Sequence, residues 1–316
     1  MEAGKNDEEN MKAVFIIILL FCVNSAQGAK VALAIENLPS TDAMSLINAV
    51  DINNKVLGVL EEYKIPAIGF VNVGRIYTDS NSANRINILK KWLSQGLELG
   101  NQSYTNKSLN LVPDEEYFGE IIKGEKVLSQ LMSEYKMKLR YFMPSYLHLG
   151  TNARSYNHLI SFLEAHGYKL VPVTITNDDW LFNRDYIKAI EIQDLDLAVK
   201  IKKRYIQYTE KRFEFYVQAS RQIFGLDIDQ ILLLHLNKIN EDSLEEIVKI
   251  PAKFGYSYDQ VDHILKTFPY NDKKYWGFTK SGISWIRRFD DLDSRVVNWS
   301  KEPQNEDYLA DLFISD

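Results

Sequence analysis

The chain has 316 residues, 46% of them hydrophobic and 25% charged, which supports one large packed domain or two smaller ones. Its 37 Lys and Arg against 43 Asp and Glu give a net charge of −6, so no basic surface points to nucleic acid as a partner. The single cysteine, Cys22, lies so near the N-terminus that a chain processed beyond it holds neither a disulfide nor a thiolate metal site.

Residues 11–28 carry one positive charge at Lys12, an apolar run from Ala13 to Val23, and a small-residue end at Ala26-Gln27-Gly28. The run is too short to span a bilayer and fits a secretory signal, so the mature chain is expected to begin near Ala29, without a membrane span, in the periplasm or outside the cell. The ten residues before Met11 are acidic and polar, the wrong charge for the start of such a signal. Translation is therefore expected to begin at Met11.

From Lys30 the chain alternates strand and helix signals. Lys30 to Ile35 is a run of small and β-branched residues that predicts a buried parallel strand. Residues 43–63 follow with helical spacing, and Ile65 to Asn72 reads as a second strand. Asn84 to Gln95 is helical and ends in turns at Gly96 and Gly100. Later strands are predicted at Leu139–Phe142, Lys169–Ile175 and Gln230–His235. This alternation argues for βα units and a parallel, barrel-like sheet. A charged, aromatic-rich stretch over residues 186–224 predicts one long helix or two helices packed on that barrel. The expected organisation is an upstream and signal segment at 1–28, a barrel domain at 29–297, and a polar, peripheral tail at 298–316.

Four sequence patterns follow in order along this frame. The first is Ala34-Ile35-Glu36-Asn37-Leu38-Pro39, after the first strand. The second is Leu99-Gly100-Asn101-Gln102-Ser103-Tyr104-Thr105-Asn106, and the third is Arg140-Tyr141-Phe142-Met143-Pro144-Ser145-Tyr146-Leu147. The fourth is Ile231-Leu232-Leu233-Leu234-His235, with Asp179-Trp180 before it. Together they resemble the polysaccharide deacetylase (NodB-homology) family, over roughly Lys30 to Phe289. The tail motif Gly282-Ile283-Ser284-Trp285 is similar to one found in a subgroup of that family.

The resemblance implies an α/β fold: a distorted parallel (β/α) barrel, here with the added helical segment. It also implies removal of acetyl groups from N-acetylated sugars with a divalent metal, zinc or similar. In the family an Asp and two His hold the metal, a second Asp is the base toward metal-bound water, and a late His is the acid. Carried over by position, the ligands are Asn37, Gln102 and Asn106, all neutral carboxamides and poor donors for such a metal. A metal that brings its water from pKa 15.7 to about 7 supplies about 12 kcal/mol of nucleophile activation, and no visible side chain replaces it. No cofactor is therefore expected.

Glu36 stands at the base position, one methylene longer than the family's Asp, and His235 at the acid position. Met143 replaces the family's Arg. A solvated loop carboxylate and a satisfied strand-end histidine are equally compatible readings of Glu36 and His235. His148, His158, His166 and His263 show no mutual spacing that suggests a metal pair. Asp178-Asp179 reads more simply as a turn or helix cap than as paired carboxylates.

Pro144, Tyr146, Asp179 and Trp180 are the candidate substrate-binding residues, with Trp285 added to the apolar floor. The amides would offer donors and acceptors to sugar hydroxyl and acetamido groups. The expected function is that of a deacetylase-like pseudoenzyme of cell-envelope glycans, with an N-acetylated glycan or peptidoglycan as partner. Two alternatives stay open: a weak or altered hydrolase using Glu36 and His235, and a structural or partner-binding scaffold.

Overall fold

A computed structural model describes residues 28–40, 46–279 and 284–312. The expected export segment therefore lies outside the described residues apart from Gly28, as do Gly282 and Ile283 of the Gly282–Trp285 motif. Among the described residues no helix is long and apolar enough to cross a membrane.

The chain alternates β1 (Lys30–Leu38), α1 (Leu46–Glu62), β2 (Ile68–Val71), α2 (Ser82–Ser94), β3 (Glu98–Asn101), α3 (Asp114–Ser133), β4 (Tyr141–Phe142), α4 (Ala153–Ala165) and β5 (Lys169–Leu170). Two helices follow, α5 (Asp179–Glu191) and α6 (Leu195–Phe224), then β6 (Gln230–His235), α7 (Lys238–Ile247), β7 (Ser257–Tyr258) and α8 (Trp285–Asp293). The strands form one parallel sheet in the order β5-β4-β3-β2-β1-β6, with β7 beside the start of β1. Strands covered by helices on both sides need no polar face. Val31 to Ile35 and Ile231 to Leu234 are accordingly buried along their whole length.

The chain beyond β5 curls the sheet toward closure. Val171 still bonds to Phe142 of β4, at 2.9 Å, but Leu233 of β6 donates to Ile175 at 3.0 Å, where Ile175 bridges to Leu232. The expected strand at Lys169–Ile175 is thus a regular strand over two residues only, because its far end has changed neighbours. The result is a distorted (β/α) barrel.

The insertion is two helices, and the first begins earlier than expected, at Asp179. The break falls at residues 192–194, where Gln193 has a positive φ of 61°. Asp194 caps the second helix by accepting the Leu197 N–H at 3.0 Å, and Gly225 closes it in the left-handed conformation at φ 73°. Tyr205, Tyr208, Phe213 and Tyr216 on α6 are fully buried, each an aromatic payload holding the helix on the core. The polar segment after Asn298 is not loose. Glu302 pairs with the buried Arg212 of α6 at 2.9 Å, and Trp299 meets Phe215 edge-on.

Candidate functional site

In the parallel ladder of β1 and β6, Glu36 is the register partner of His235. Register partners on neighbouring strands sit about 4.8 Å apart and share a face. The sheet itself therefore brings the two side chains together at the ends of their strands, where barrels carry their sites. His235 Nε2 lies 2.5 Å from Glu36 Oε1, and Nδ1 lies 2.7 Å from Asp179 Oδ1.

Asp179, at the start of α5, is fully buried. Its Oδ2 accepts the His235 backbone N–H at 2.8 Å and the Asn240 amide at 2.6 Å. The Asn237 amide reaches Oδ1 at 3.3 Å. Asn237 can do this because its own oxygen caps α7 on the Asn240 N–H at 3.0 Å. Burial disfavours a charged imidazole, but the carboxylates of Asp179 and Glu36 more than offset it and hold His235 well above its usual pKa. His235 is therefore an imidazolium between two carboxylates.

The other oxygen of Glu36 is also taken: the Gln102 side-chain amide donates to Oε2. Gln102 Oε1 in turn accepts the Asn37 N–H at 3.3 Å. The loop that carries Gln102 is fixed from behind. Asn101 donates to Ile121 O at 3.0 Å and to the Tyr168 hydroxyl at 2.9 Å, and accepts the Ser103 N–H at 2.9 Å. Glu120 of α3 takes the Thr105 N–H at 2.7 Å. Asn72, with its amide oriented to satisfy both atoms, accepts the Asn106 N–H at 2.8 Å. Asn37 and Asn106 both adopt positive φ, 69° and 58°, a region that asparagine enters more readily than most residues. Their side-chain oxygens are buried without a hydrogen-bond partner.

These donors do not fit a divalent metal of the zinc class. Asn37, Gln102 and Asn106 offer uncharged amide oxygens, and that of Gln102 already accepts a backbone N–H. Among the described residues no group of three or more His, Cys, Asp or Glu could hold such an ion. Met143, where the family's Arg would stand, is fully buried.

The structure thus joins Glu36, Gln102, His235 and the Asn37 backbone, while no hydrogen bond links the Asn106 side chain to them. Glu36 is neither a loop residue nor solvated, and Asp179 is a buried partner of His235 where a helix cap looked simpler. Asp179 and Pro144 are both buried, so neither presents a surface to a ligand. Trp285 is 3% exposed and packs on Trp276 and Phe289 in the core, not on a groove floor. Tyr146 and Trp180, by contrast, are 58% and 53% exposed. Sequence reasoning missed Asn237 and Asn240. Their only signal was an Asn at a helix cap directly after the His235 strand.

A comparison with curated proteins finds no significant match. Among solved structures, the Bc1960 peptidoglycan N-acetylglucosamine deacetylase is 19% identical, with 76% of this chain and 89% of that one aligned at a TM-score of 0.51. Peptidoglycan deacetylase PdaC from Bacillus subtilis is 17% identical over 78% and 95% of the two chains, with a TM-score of 0.50. A mutant of BA3943, described as a CE4 family pseudoenzyme with restored enzymatic activity, is 17% identical over 75% and 68%, with a TM-score of 0.49. The sequence pattern described as polysaccharide deacetylase matches residues 25–171. Residues 25–171 of the chain thus match the polysaccharide deacetylase family, on a parallel barrel that carries the four ordered motifs.

Proposed function

We propose that this protein has lost metal-dependent deacetylation and acts, outside the cytoplasm, as a binder of N-acetylated cell-envelope glycans. The observation that carries the reading is the closed network of Glu36, His235, Asp179 and Gln102. A general base must be placed to take a proton from the water it activates, and a general acid needs a proton it can aim at the leaving group. Here Glu36 accepts from His235 and Gln102 at once. Both ring nitrogens of His235 face carboxylates. The two groups occupy each other.

The position of the substitutions supports the same reading. The longer side chain of Glu36 spans to His235, and the Gln102 amide donates a hydrogen bond to the remaining oxygen. Tyr146 and Trp180 are exposed rings on which sugar faces can lie.

The test is an acetate-release assay on N-acetylglucosamine oligomers and acetylated esters, with and without a chelator, beside calorimetric titration with chitotetraose. Binding without turnover is the expected result. Turnover abolished by the chelator would restore the family's metal chemistry. Turnover that ignores the chelator and disappears in His235→Gln would make the protein an altered hydrolase. Neither turnover nor binding would leave a scaffold.

A further inference from the structure

Arg288 lies one turn into α8, which Ser284 and Trp285 anchor to the chain beyond β5. The Ser284 hydroxyl donates to Thr174 O at 2.5 Å, and the Trp285 N–H to Val173 O at 2.9 Å. Arg288 is 5% exposed. Other deeply buried arginines have acceptors: Arg212 meets Glu302 at 2.9 Å, Arg85 meets Asp79 at 2.9 Å, and Arg75 donates to Ser40 O at 3.0 Å. The Arg288 guanidinium has no acceptor among the described residues. Its Nε is enclosed and unbonded, and the guanidinium lies 5.9 Å from the centroid of the Trp285 ring.

Among the described residues the surroundings add neutral donors and no negative charge. The Tyr156 hydroxyl is buried without a partner; burial pushes it up to about 12, against the pull of Arg288. Burial, and then the Arg288 charge, lowers His148 and keeps it a neutral imidazole. His148 Nδ1 lies 2.7 Å from the Ser108 hydroxyl, and its ring lies 5.7 Å from that of the exposed Tyr146. His148 therefore links this cluster to the exposed Tyr146 ring proposed above to meet a sugar. A buried cation with no counter-charge is expensive for a fold and is retained where an anion completes it.

We propose that Arg288, with the Tyr156 hydroxyl and His148, forms a carboxylate-binding subsite beside Tyr146, so that the glycan this protein takes is one bearing a carboxylate. The planar guanidinium matches a carboxylate through two parallel hydrogen bonds. One positive charge beside a neutral imidazole suits a monoanion better than a phosphate dianion. The inference deepens the glycan-binding reading and rests on it for the sugar, though not for the anion.

The test compares chitobiose with the disaccharide of N-acetylglucosamine and N-acetylmuramic acid, which adds one lactyl carboxylate to a similar sugar frame. Wild type and Arg288→Met are titrated with both, and free D-lactate is titrated against the Arg288 Nε–H resonance, assigned by its loss in the variant. The expected result is a preference of tenfold or more for the muramyl disaccharide in wild type, lost in Arg288→Met. Chitobiose binding should be unchanged, and the variant should melt at or above the wild-type temperature, since replacing an uncompensated buried charge with an apolar group relieves the fold. Equal affinities in wild type, an intact preference in the variant, or a variant that fails to fold would each overturn the subsite. If neither sugar binds, a lactate-induced shift at Arg288 keeps the anion site and sinks the glycan reading. No shift sinks both.

Discussion

Asp179 and Arg288 are both ionisable side chains buried toward the end of the sheet to which its strands point, 0% and 5% exposed. Asp179 accepts from the His235 backbone N–H and the amides of Asn237 and Asn240, and lies 2.7 Å from the His235 ring nitrogen with which it pairs. Arg288 has an aromatic ring and two further donors nearby but no acceptor among the described residues. A buried charge that is fully hydrogen-bonded is part of the fold, while one left without partners is a cost that function must explain. On the proposed reading, the contrast separates a paired internal brace from a cluster that a ligand would complete.

Removing the two charges should therefore have opposite consequences. Asp179→Ala leaves the His235 imidazolium and two buried amides short of acceptors, and should cost about 3–5 kcal/mol in denaturant unfolding. Arg288→Met should cost nothing. A loss below about 1 kcal/mol for Asp179→Ala would show that the brace is loose and erase the contrast.

The next largest effect is in pH. His235 is held protonated in the native state by Asp179 and Glu36 against the opposing effect of burial, whereas an unfolded histidine titrates near about 6.5. Below that pH both states carry the proton, and the stabilisation is fully present. As pH rises toward the elevated native value, the folded protein keeps a proton the unfolded chain has lost. Stability then falls by up to about 1.4 kcal/mol per pH unit from this group alone, until the native pKa is passed and the contribution is gone. Unfolding curves taken from pH 6 to 9 should show this slope in wild type and lack it in His235→Gln. Equal slopes would mean that His235 is not the imidazolium of the brace.

How much of this was legible in the sequence differs between fold and site for a physical reason. β6 was readable to the residue, because Gln230 to His235 is an apolar run buried on both faces. β3 was missed because Gly96 and Gly100 looked like turns. Gly100 is inside the strand, where an added Cβ would stand 2.3 Å from the Phe70 ring, so that glycine records a close contact and not a change of direction. Nor does the sequence mark the break at Gln193, which has a positive φ without being glycine.

In the site, motif order was enough to nominate Glu36, Gln102 and His235. What they do to one another was not readable, since it depends on the β1–β6 register and on a methylene that lets Glu36 span to the imidazole. Asp179 was misjudged for the same reason. Its partners lie 56 to 61 residues away, a distance over which no local pattern speaks. Arg288 is unmarked in the sequence, and only its burial makes it unusual.

The smallest effect on stability is expected where the contrast predicts no structural role at all. Tyr146 and Trp180 are 58% and 53% exposed, and neither belongs to the brace or supplies a buried charge. Tyr146 adjoins the Arg288 cluster through its contact with His148, while Trp180 follows directly after the braced Asp179. Exposed side chains outside such features change stability by no more than about 0.5 kcal/mol, so Trp180→Ala and Tyr146→Ala should unfold like wild type. Their rings are nevertheless large apolar faces turned to solvent, which a bound sugar can cover. Each truncation should weaken chitotetraose binding roughly five- to tenfold, about 1–1.4 kcal/mol. If both variants unfold normally and bind normally, the glycan lies elsewhere. A ring whose loss destabilises the fold belongs to the structure, and the boundary between brace and groove must then be redrawn to include it.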